Sequence, residues 1–522
     1  MRVRASAHTQ KWGALTACAL RRITPLLLLC CSASSVLAAA VNVKSCGALG
    51  NGITDDGPAI QRAINMAAQS RPSIVIFPNG RYRVTQAIRP EYDGMTLEGQ
   101  EGAVLIADPR ESKGVPPPSF PEAILVNRGY PGPPQPVSNL TIQNLTVEVR
   151  NGNSDPQIST ASIQLNNCIN CLVERVHVVY TGALPKPNEL DGIGTSQGTS
   201  GLIKDCIVDG IPKAGIYASA GTHDLTIEDC EVMDAKGPLL NAQPGFGRTG
   251  FSLTGSHIQL LHCRSHDNEL RGVLITTNGY PTQGIVYPAP VDIQLSDCDI
   301  YDNGGNGIEL VSQFDGAVPS NIQLDNLTLN NNDGVGYYIQ AAENLTIQGG
   351  EVRGSGSAGI WIENIPISPG YAVRTQNIAI QNVQIGDNGR LVGVDVPGIG
   401  LVAANDVTIS GGKIYRSDPT RNQIYGVGLY RDTTFFASPS EIQITGVDFL
   451  TGLTQSVTTV ALDGIDDPLA AAVSGYYDIA FYGDPEGILS APFKSLYTNV
   501  KTGNGFLKAT GIDPTGWIST GP

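Results

Sequence analysis

Beyond its first forty residues the sequence has no apolar run approaching the roughly 18 residues that a membrane-spanning helix needs. This excludes a helical membrane protein. Positive charge is scarce as well: Lys and Arg number 33 against 48 Asp and Glu, and five of the basic residues, Arg2, Arg4, Lys11, Arg21 and Arg22, fall within those first forty. The remaining 28 face 48 acids, a formal charge of −20, and such a surface repels nucleic acid and anionic lipid. An anionic polymer is compatible with it only where basic residues gather in a groove. Metal-binding spacing is lacking too. Cys168 and Cys171 form a single CxxC with no second pair, too little for structural zinc. The acidic stretch "DGIDDP" at 463–468 matches no complete calcium-ligand pattern, so it leaves room for Ca2+ without defining a metal site. No cofactor is called for.

The first forty residues contain no acid, and they order a basic segment before "PLLLLCC" and "SSVLAAA". That is the pattern of a secretory signal peptide, with cleavage expected near residues 38–40. The mature chain is therefore expected to be exported and soluble.

From residue 190 onward the chain falls into lines that each begin with Gly and an apolar residue: "GIGTS" at 192, "GIYAS" at 215, "GFSLT" at 250, "GVLIT" at 272 and "GIELV" at 307. They continue as "GYYIQ" at 336, "GIWIE" at 359, "GIGLV" at 398 and "GVGLY" at 426. Most lines carry a second strand-like segment, such as "LIKDCIV" or "LTIEDCEV". A recurring unit of 22 or 23 residues with insertions at one or two places is the mark of a solenoid. Strand alternation without a helix in each unit makes it a parallel β-helix, an all-β fold. Aligning the second segments stacks Val176, Cys206, Cys230, Cys263, Cys298, Asn326, Gly350, Val383, Gly412 and Val447 as an interior column. Its four cysteines are expected to be buried thiols rather than disulfides or metal ligands. "NLT" triplets at Asn139, Asn144, Asn326 and Asn344 fit glycosylation sequons but are read as rung residues.

Ahead of the repeats, "GALGNGITDDGPAIQRAI" (47–64) passes from a glycine-rich loop into an amphipathic helix. Thr54, Asp55 and Asp56 are N-cap candidates, Pro58 lies in the first turn, and Ile60, Ala63, Ile64 and Ala67 form an apolar stripe. A stack of rungs has an apolar end, and this helix is expected to cap it. "VKSCGALGNGITDDGPAIQRAI" with "IVIFPNGRYRV" resembles the N-terminal signature of the pectate-lyase-like β-helix superfamily, which includes mannuronan epimerases, tailspike depolymerases, glucanases and galacturonan-active enzymes. The resemblance implies a right-handed parallel β-helix acting on polysaccharide. The last stretch, from "GDPEGILSAPF" onward, resembles a C-terminal module of viral depolymerases, which implies a homotrimer. The expected organisation is a signal peptide at 1–40, a capped β-helix at 41–470 and a small C-terminal module at 471–522.

Within each line the residues at one and three places after the Gly are apolar, so those at two and four places face outward. The outward positions include Tyr217, Tyr338 and Trp361, whose rings offer stacking surfaces for sugars. They also include Glu309 and Glu363, two rungs apart, with Asp315 following in a loop. A carboxyl pair of this kind can hydrolyse a glycosidic bond, one group protonated and the other ionised. Lys213, Arg248 and Arg271 precede the Gly on three successive lines and offer the alternative of β-elimination on a uronic acid. Non-catalytic glycan binding is the third reading. The Asp-Pro-His motif of the epimerases is replaced here by Tyr217, Ala218 and Ser219, and the Asp pairs and Gly-His-Gly of galacturonan hydrolases are missing. His177, His223, His257, His262 and His266 cluster in the same stretch of chain, with the last three expected off the outward column.

Overall fold

In a computed structural model the chain after the cap winds through three sheets, and each turn from Met95–Gly99 to Gln455–Ala461 crosses all three. The structure describes 40–70, 72–108, 122–128, 135–150, 160–182, 190–237, 248–277, 279–280, 285–286, 288–312, 318–364, 375–431, 440–450 and 452–461. It also describes 478–481, 496–499, 505–509 and 517–521 near the C-terminus. The proposed signal peptide, apart from residue 40, and Asp315 lie outside these residues.

One turn illustrates the rest. Gly201–Lys204 lies in the first sheet, Ile207–Asp209 in the second and Ala214–Ala218 in the third, after which His223–Glu228 returns to the first. It pairs there in parallel with Gly201–Lys204, Leu202 opposite Thr226. The fold is the expected right-handed parallel β-helix. A rung holds three strands rather than two, however, because "LIKDCIV" bends at Asp205. The bend requires a left-handed residue, and Asp205, Asp229, His262, Asp297, Asn326, Gly349, Asn382 and Gly411 all have φ between 51° and 65°. Asn, Asp and Gly tolerate that region best.

This corner also corrects the expected interior column by one residue. Register pairs Asp299 with Thr328, and Thr328 donates its amide to the Cys298 carbonyl, so Leu327 and not Asn326 continues the cysteine column. Leu327 is fully buried, and Asn326 belongs to the corner row. Asn139 and Asn144 are likewise left-handed residues between strands, whereas Asn344, also left-handed, lies within the strand Ala342–Gln348 as expected. Cys206, Cys230, Cys263 and Cys298 are buried free thiols, as expected, stacked so that the amides of Cys230 and Cys263 each meet the next sulfur at 3.4 Å. Burial pushes the Cys263 thiol well above its ordinary range, which keeps it unreactive. Cys168 and Cys171 form a disulfide.

A second interior row lies where the second sheet turns into the third. Asn268 donates to Asn303 at 2.9 Å, Asn303 to Asn332 at 2.9 Å and Asn388 to Gln423 at 2.7 Å, all buried. Stacked amides satisfy one another where water cannot reach.

The capping helix α1 spans Gly57–Ala67. Ile60, Ala63, Ile64 and Ala67 are fully buried, so the stripe read from sequence is the face that closes the coil. Asp56 holds the N-cap position without a side-chain cap bond; its carboxylate instead accepts the amides of Leu49 at 2.7 Å and Gly50 at 3.0 Å. Asp55 takes over at the helix start, accepting from the Gly57 amide at 3.1 Å. The glycine-rich loop is thus folded back on the helix that follows it.

At the other end, Asp478–Phe481 and Leu496–Asn499 extend the first sheet in parallel, and Gly505–Lys508 and Trp517–Gly521 follow antiparallel. No described helix is long and apolar enough to cross a membrane.

Candidate functional site

The third sheet carries the predicted outward column in unbroken register. Gly194 lies opposite Tyr217, then Ser252, Leu274, Glu309, Tyr338, Trp361 and Gly400 follow on successive strands. The alternate positions, Ile193, Ile216, Phe251, Val273, Ile308, Tyr337, Ile360 and Ile399, are buried inside the coil. Twelve described strands at about 4.8 Å each make this face about 50 Å long, enough for several sugar units. It is not evenly open. Ser252, Leu274 and Glu309 point outward yet are buried, whereas Tyr217, Tyr338, Trp361 and Glu363 are half-buried.

Glu309 and Glu363 are on the same face but not in the same column. Glu363 lies two rungs from Glu309, about 9.6 Å, and two residues further along its strand, about 6.6 Å. The pair is therefore diagonal, with Tyr338 on the rung between. Their surroundings differ in kind. Glu309 Oε2 accepts from Arg271 Nε at 2.5 Å and from Asn306 Nδ2 at 2.8 Å. Glu363 Oε1 accepts from the Tyr338 hydroxyl, and its Oε2 from Trp361 Nε1 at 3.0 Å. Burial, reinforced by the Glu363 charge, pushes the Tyr338 phenol far above its usual range, so it remains a proton carrier.

Glycines shape the floor beyond Glu363. A Cβ on Gly400 would lie 2.4 Å from the Trp361 ring and one on Gly428 2.5 Å from the Tyr430 ring. The two rings, 5.1 Å apart at their centroids, lie over bare backbone that no larger residue would leave exposed.

The basic residues do not form a single stack. The Thr249 amide bonds the Lys213 carbonyl and Leu270 that of Arg248, so these two occupy one row; Arg271 lies opposite Thr249, one residue further on. Each already has a carboxylate partner: Lys213 with Asp191 at 3.6 Å, Arg248 with Glu269, and Arg271 with Glu309. The Lys213 ammonium also lies 5.5 Å from the Tyr217 ring centre. Lys213, Asp191, Tyr217, Ser252 and Leu274 line a small cavity of about 20 Å³ on this face. The histidines take no part in it: His223 and His257 belong to the first sheet, His262 to the corner that follows, and His177 and His266 to the second.

Sequence reasoning missed the row immediately before each Gly, which also turns outward. Register places Glu122 opposite Ala161, then Asp191, Ala214, Thr249 and Arg271. Glu122 is buried, and loss of hydration pushes its carboxyl up to about 8 despite a backbone hydrogen bond and the charge of Arg89. Asp191, two rungs away, is held by Lys213 and the Ala214 amide at 3.1 Å. The signal was available in the "DG" of "DGIGT" and the "RG" of "RGVLI", had the outward row been extended back across the Gly. Among the described residues no cluster of His, Cys, Asp and Glu is arranged to hold a metal.

A family profile described as rhamnogalacturonase A/epimerase, pectate lyase-like, matches residues 40–239, and one for the right-handed β-helix region matches 280–438. The mannuronan C5-epimerase AlgE1 of Azotobacter vinelandii is 27% identical over 214 residues, 36% of this chain but 14% of that protein. The chain thus spans a small part of that relative's length. Among solved structures, the catalytic unit of a GH87 α-1,3-glucanase from Streptomyces thermodiastaticus is 12% identical, with 80% of this chain and 69% of that one covered, at a TM-score of 0.53. PfbA, a surface adhesin of Streptococcus pneumoniae, is 13% identical, with 92% and 100% covered, also at 0.53. At such identities these likenesses concern the fold alone. With the rungs, the cap and both profiles in agreement, the chain is a right-handed parallel β-helix that matches a pectate-lyase-like profile over residues 40–239.

Proposed function

We propose that the protein is an exported enzyme that binds a polysaccharide along its third sheet and hydrolyses glycosidic bonds there. The observation that carries this reading is the unlike company of the two carboxylates. Arg271 and Asn306 nitrogens can only donate to Glu309, so that carboxylate serves as an acceptor, the part a general base plays. The Tyr338 hydroxyl can accept as well as donate, so Glu363 can take up a proton on Oε1 while Trp361 continues to hold Oε2. Glu363 is then the general acid and Glu309 the base, an assignment of unlike roles to like groups through their neighbours. Tyr338 and Trp361 flank the acid and would stack the sugar whose bond is broken. Export rests on the leader-like first forty residues. The epimerase relative, an enzyme of mannuronan, supports a polysaccharide substrate. Elimination has less support, because Lys213, Arg248 and Arg271 are each neutralised by a carboxylate.

The mature chain should release reducing ends from its polysaccharide without the ultraviolet absorbance of an unsaturated uronate. Glu309→Gln and Glu363→Gln should each slow that release by about 10²–10⁴-fold, while Glu122→Gln and Asp191→Asn leave it within severalfold. Unsaturated products would convert the assignment to elimination. Unchanged release in both furrow variants, or binding without any cleavage, would remove Glu309 and Glu363 from catalysis.

A further inference from the structure

The ion pairs on the third-sheet face say something about what it can bind. A polyuronate brings one negative charge per sugar, and a furrow built for it needs cations able to meet those charges. Here Lys213, Arg248 and Arg271 are described cations of the face between residues 190 and 364, with Lys236 beside it near Glu269, and Asp191, Glu269, Glu309 and Asp234 respectively already pair with them. Glu363 adds a carboxylate whose donors are a phenol and an indole rather than a cation. The balance is at best neutral, on a chain whose mature part carries a formal −20.

Two of the connecting segments carry no charge at all, although 313–317 holds Asp315 and 365–374 holds Arg374. Residues 238–247, before the strand Thr249–Leu253, and 277–290, after the strand Arg271–Thr276, contain no Asp, Glu, Lys or Arg. What the face offers instead is ring surface, from Tyr217, Tyr338 and Trp361, with the Trp361 ring lying against Gly400. Rings recognise the C–H faces of sugars, and these are most exposed on uncharged hexoses and pentoses.

We infer that the substrate of the third-sheet furrow is an uncharged polysaccharide, held by ring stacking and hydroxyl hydrogen bonds rather than by charge. This rests on the reading of the furrow as a glycan site, and it goes beyond that reading in naming the class of polymer. It also makes a prediction about salt. Binding through rings is insensitive to ionic strength, whereas capture of a polyanion weakens steeply as salt rises.

Affinity electrophoresis of the mature chain tests it, with a galactomannan, a β-1,3-glucan and an arabinoxylan as neutral probes and alginate and polygalacturonate as charged ones. At least one neutral polymer should retard the protein, equally at low salt and at about 0.5 M salt, and Trp361→Ala should reduce that retardation about tenfold or more. Glu269→Gln, which leaves Arg248 without its carboxylate, should add retardation by polygalacturonate that salt abolishes. Retardation by the charged polymers alone, or by none of the five, would overturn the inference. Its failure is separable from that of the hydrolytic reading: a polyuronate bound and cut with loss of cutting in Glu363→Gln sinks the neutral substrate only, whereas a neutral polymer bound and never cut sinks hydrolysis only.

Discussion

The outward faces of the first and third sheets are built on the same coil, with the same spacing and the same apolar interior, and they look nothing alike. On the first sheet one outward column reads Leu202, Thr226, Gln259, Gln294, Gln323, Thr346, Ala379, Thr408 and Gln443. After Leu202 it is a row of small or amide side chains, in which Gln259 donates to Gln294 at 3.0 Å. On the third sheet the corresponding column reads Tyr217, Ser252, Leu274, Glu309, Tyr338 and Trp361. Stacking at about 4.8 Å rewards like beside like, as in any ladder of identical side chains. A column that abandons repetition on one face alone has been shaped by something other than stacking. In this molecule the departure from repeat coincides with the rings, the two carboxylates and the ion pairs.

The comparison can be broken in several ways, and the largest effect is expected at the head of the third-sheet face. Glu122 has a carboxyl raised from its ordinary 4.5 to about 8 by burial. The folded state therefore holds a proton that the unfolded state has released across that interval. Stability from this group is fully present below pH 4.5 and is lost as pH rises through 8, by up to about 5 kcal/mol. Glu122→Gln should flatten the fall in thermal midpoint between pH 5 and pH 9. An equal fall in wild type and variant would show that Glu122 is solvated and charged like an ordinary surface acid.

Next in size is the buried amide row. Asn303→Ala removes a partner from both Asn268 and Asn332 and should cost about 2–3 kcal/mol in denaturant unfolding. Gln294→Ala, which interrupts the amide row on the outside of the first sheet, should cost less than about 0.5 kcal/mol because water replaces what is lost. Equal costs would mean that inner and outer ladders do the same job.

Between these lies Gly400→Ala. Its new Cβ would force the Trp361 ring off the strand and disturb the bond from Trp361 Nε1 to Glu363. Turnover should fall about tenfold, with a thermal midpoint shifted by no more than a few degrees. A variant with full activity would free Trp361 from any part in orienting the acid.

Much of this was legible before any coordinates. The Gly-apolar lines, the stripe Ile60, Ala63, Ile64 and Ala67, and the burial of the four cysteines all follow from local periodicity, because a repeating unit must bury the same positions each time it comes round. The outward column was legible for the same reason. The corner at Asp205 was not, because a single left-handed residue interrupts alternation for one step and shifts everything after it. That step is what displaced Asn326 for Leu327 and hid the third strand of each rung.

Tertiary structure alone decided who partners whom. Sequence set Arg271 and Glu309 in two competing chemistries, elimination and hydrolysis, and only the stacking of neighbouring rungs revealed them as one ion pair. The same holds for Asp191 with Lys213, for Glu122 at the head of its row, and for the indole of Trp361 lying over Gly400. Periodicity fixes which way a side chain points, since that depends on its own strand. Its neighbours come from turns of chain some 20 to 40 residues away, and how those turns are staggered is set by loops of unequal length that carry no period to read.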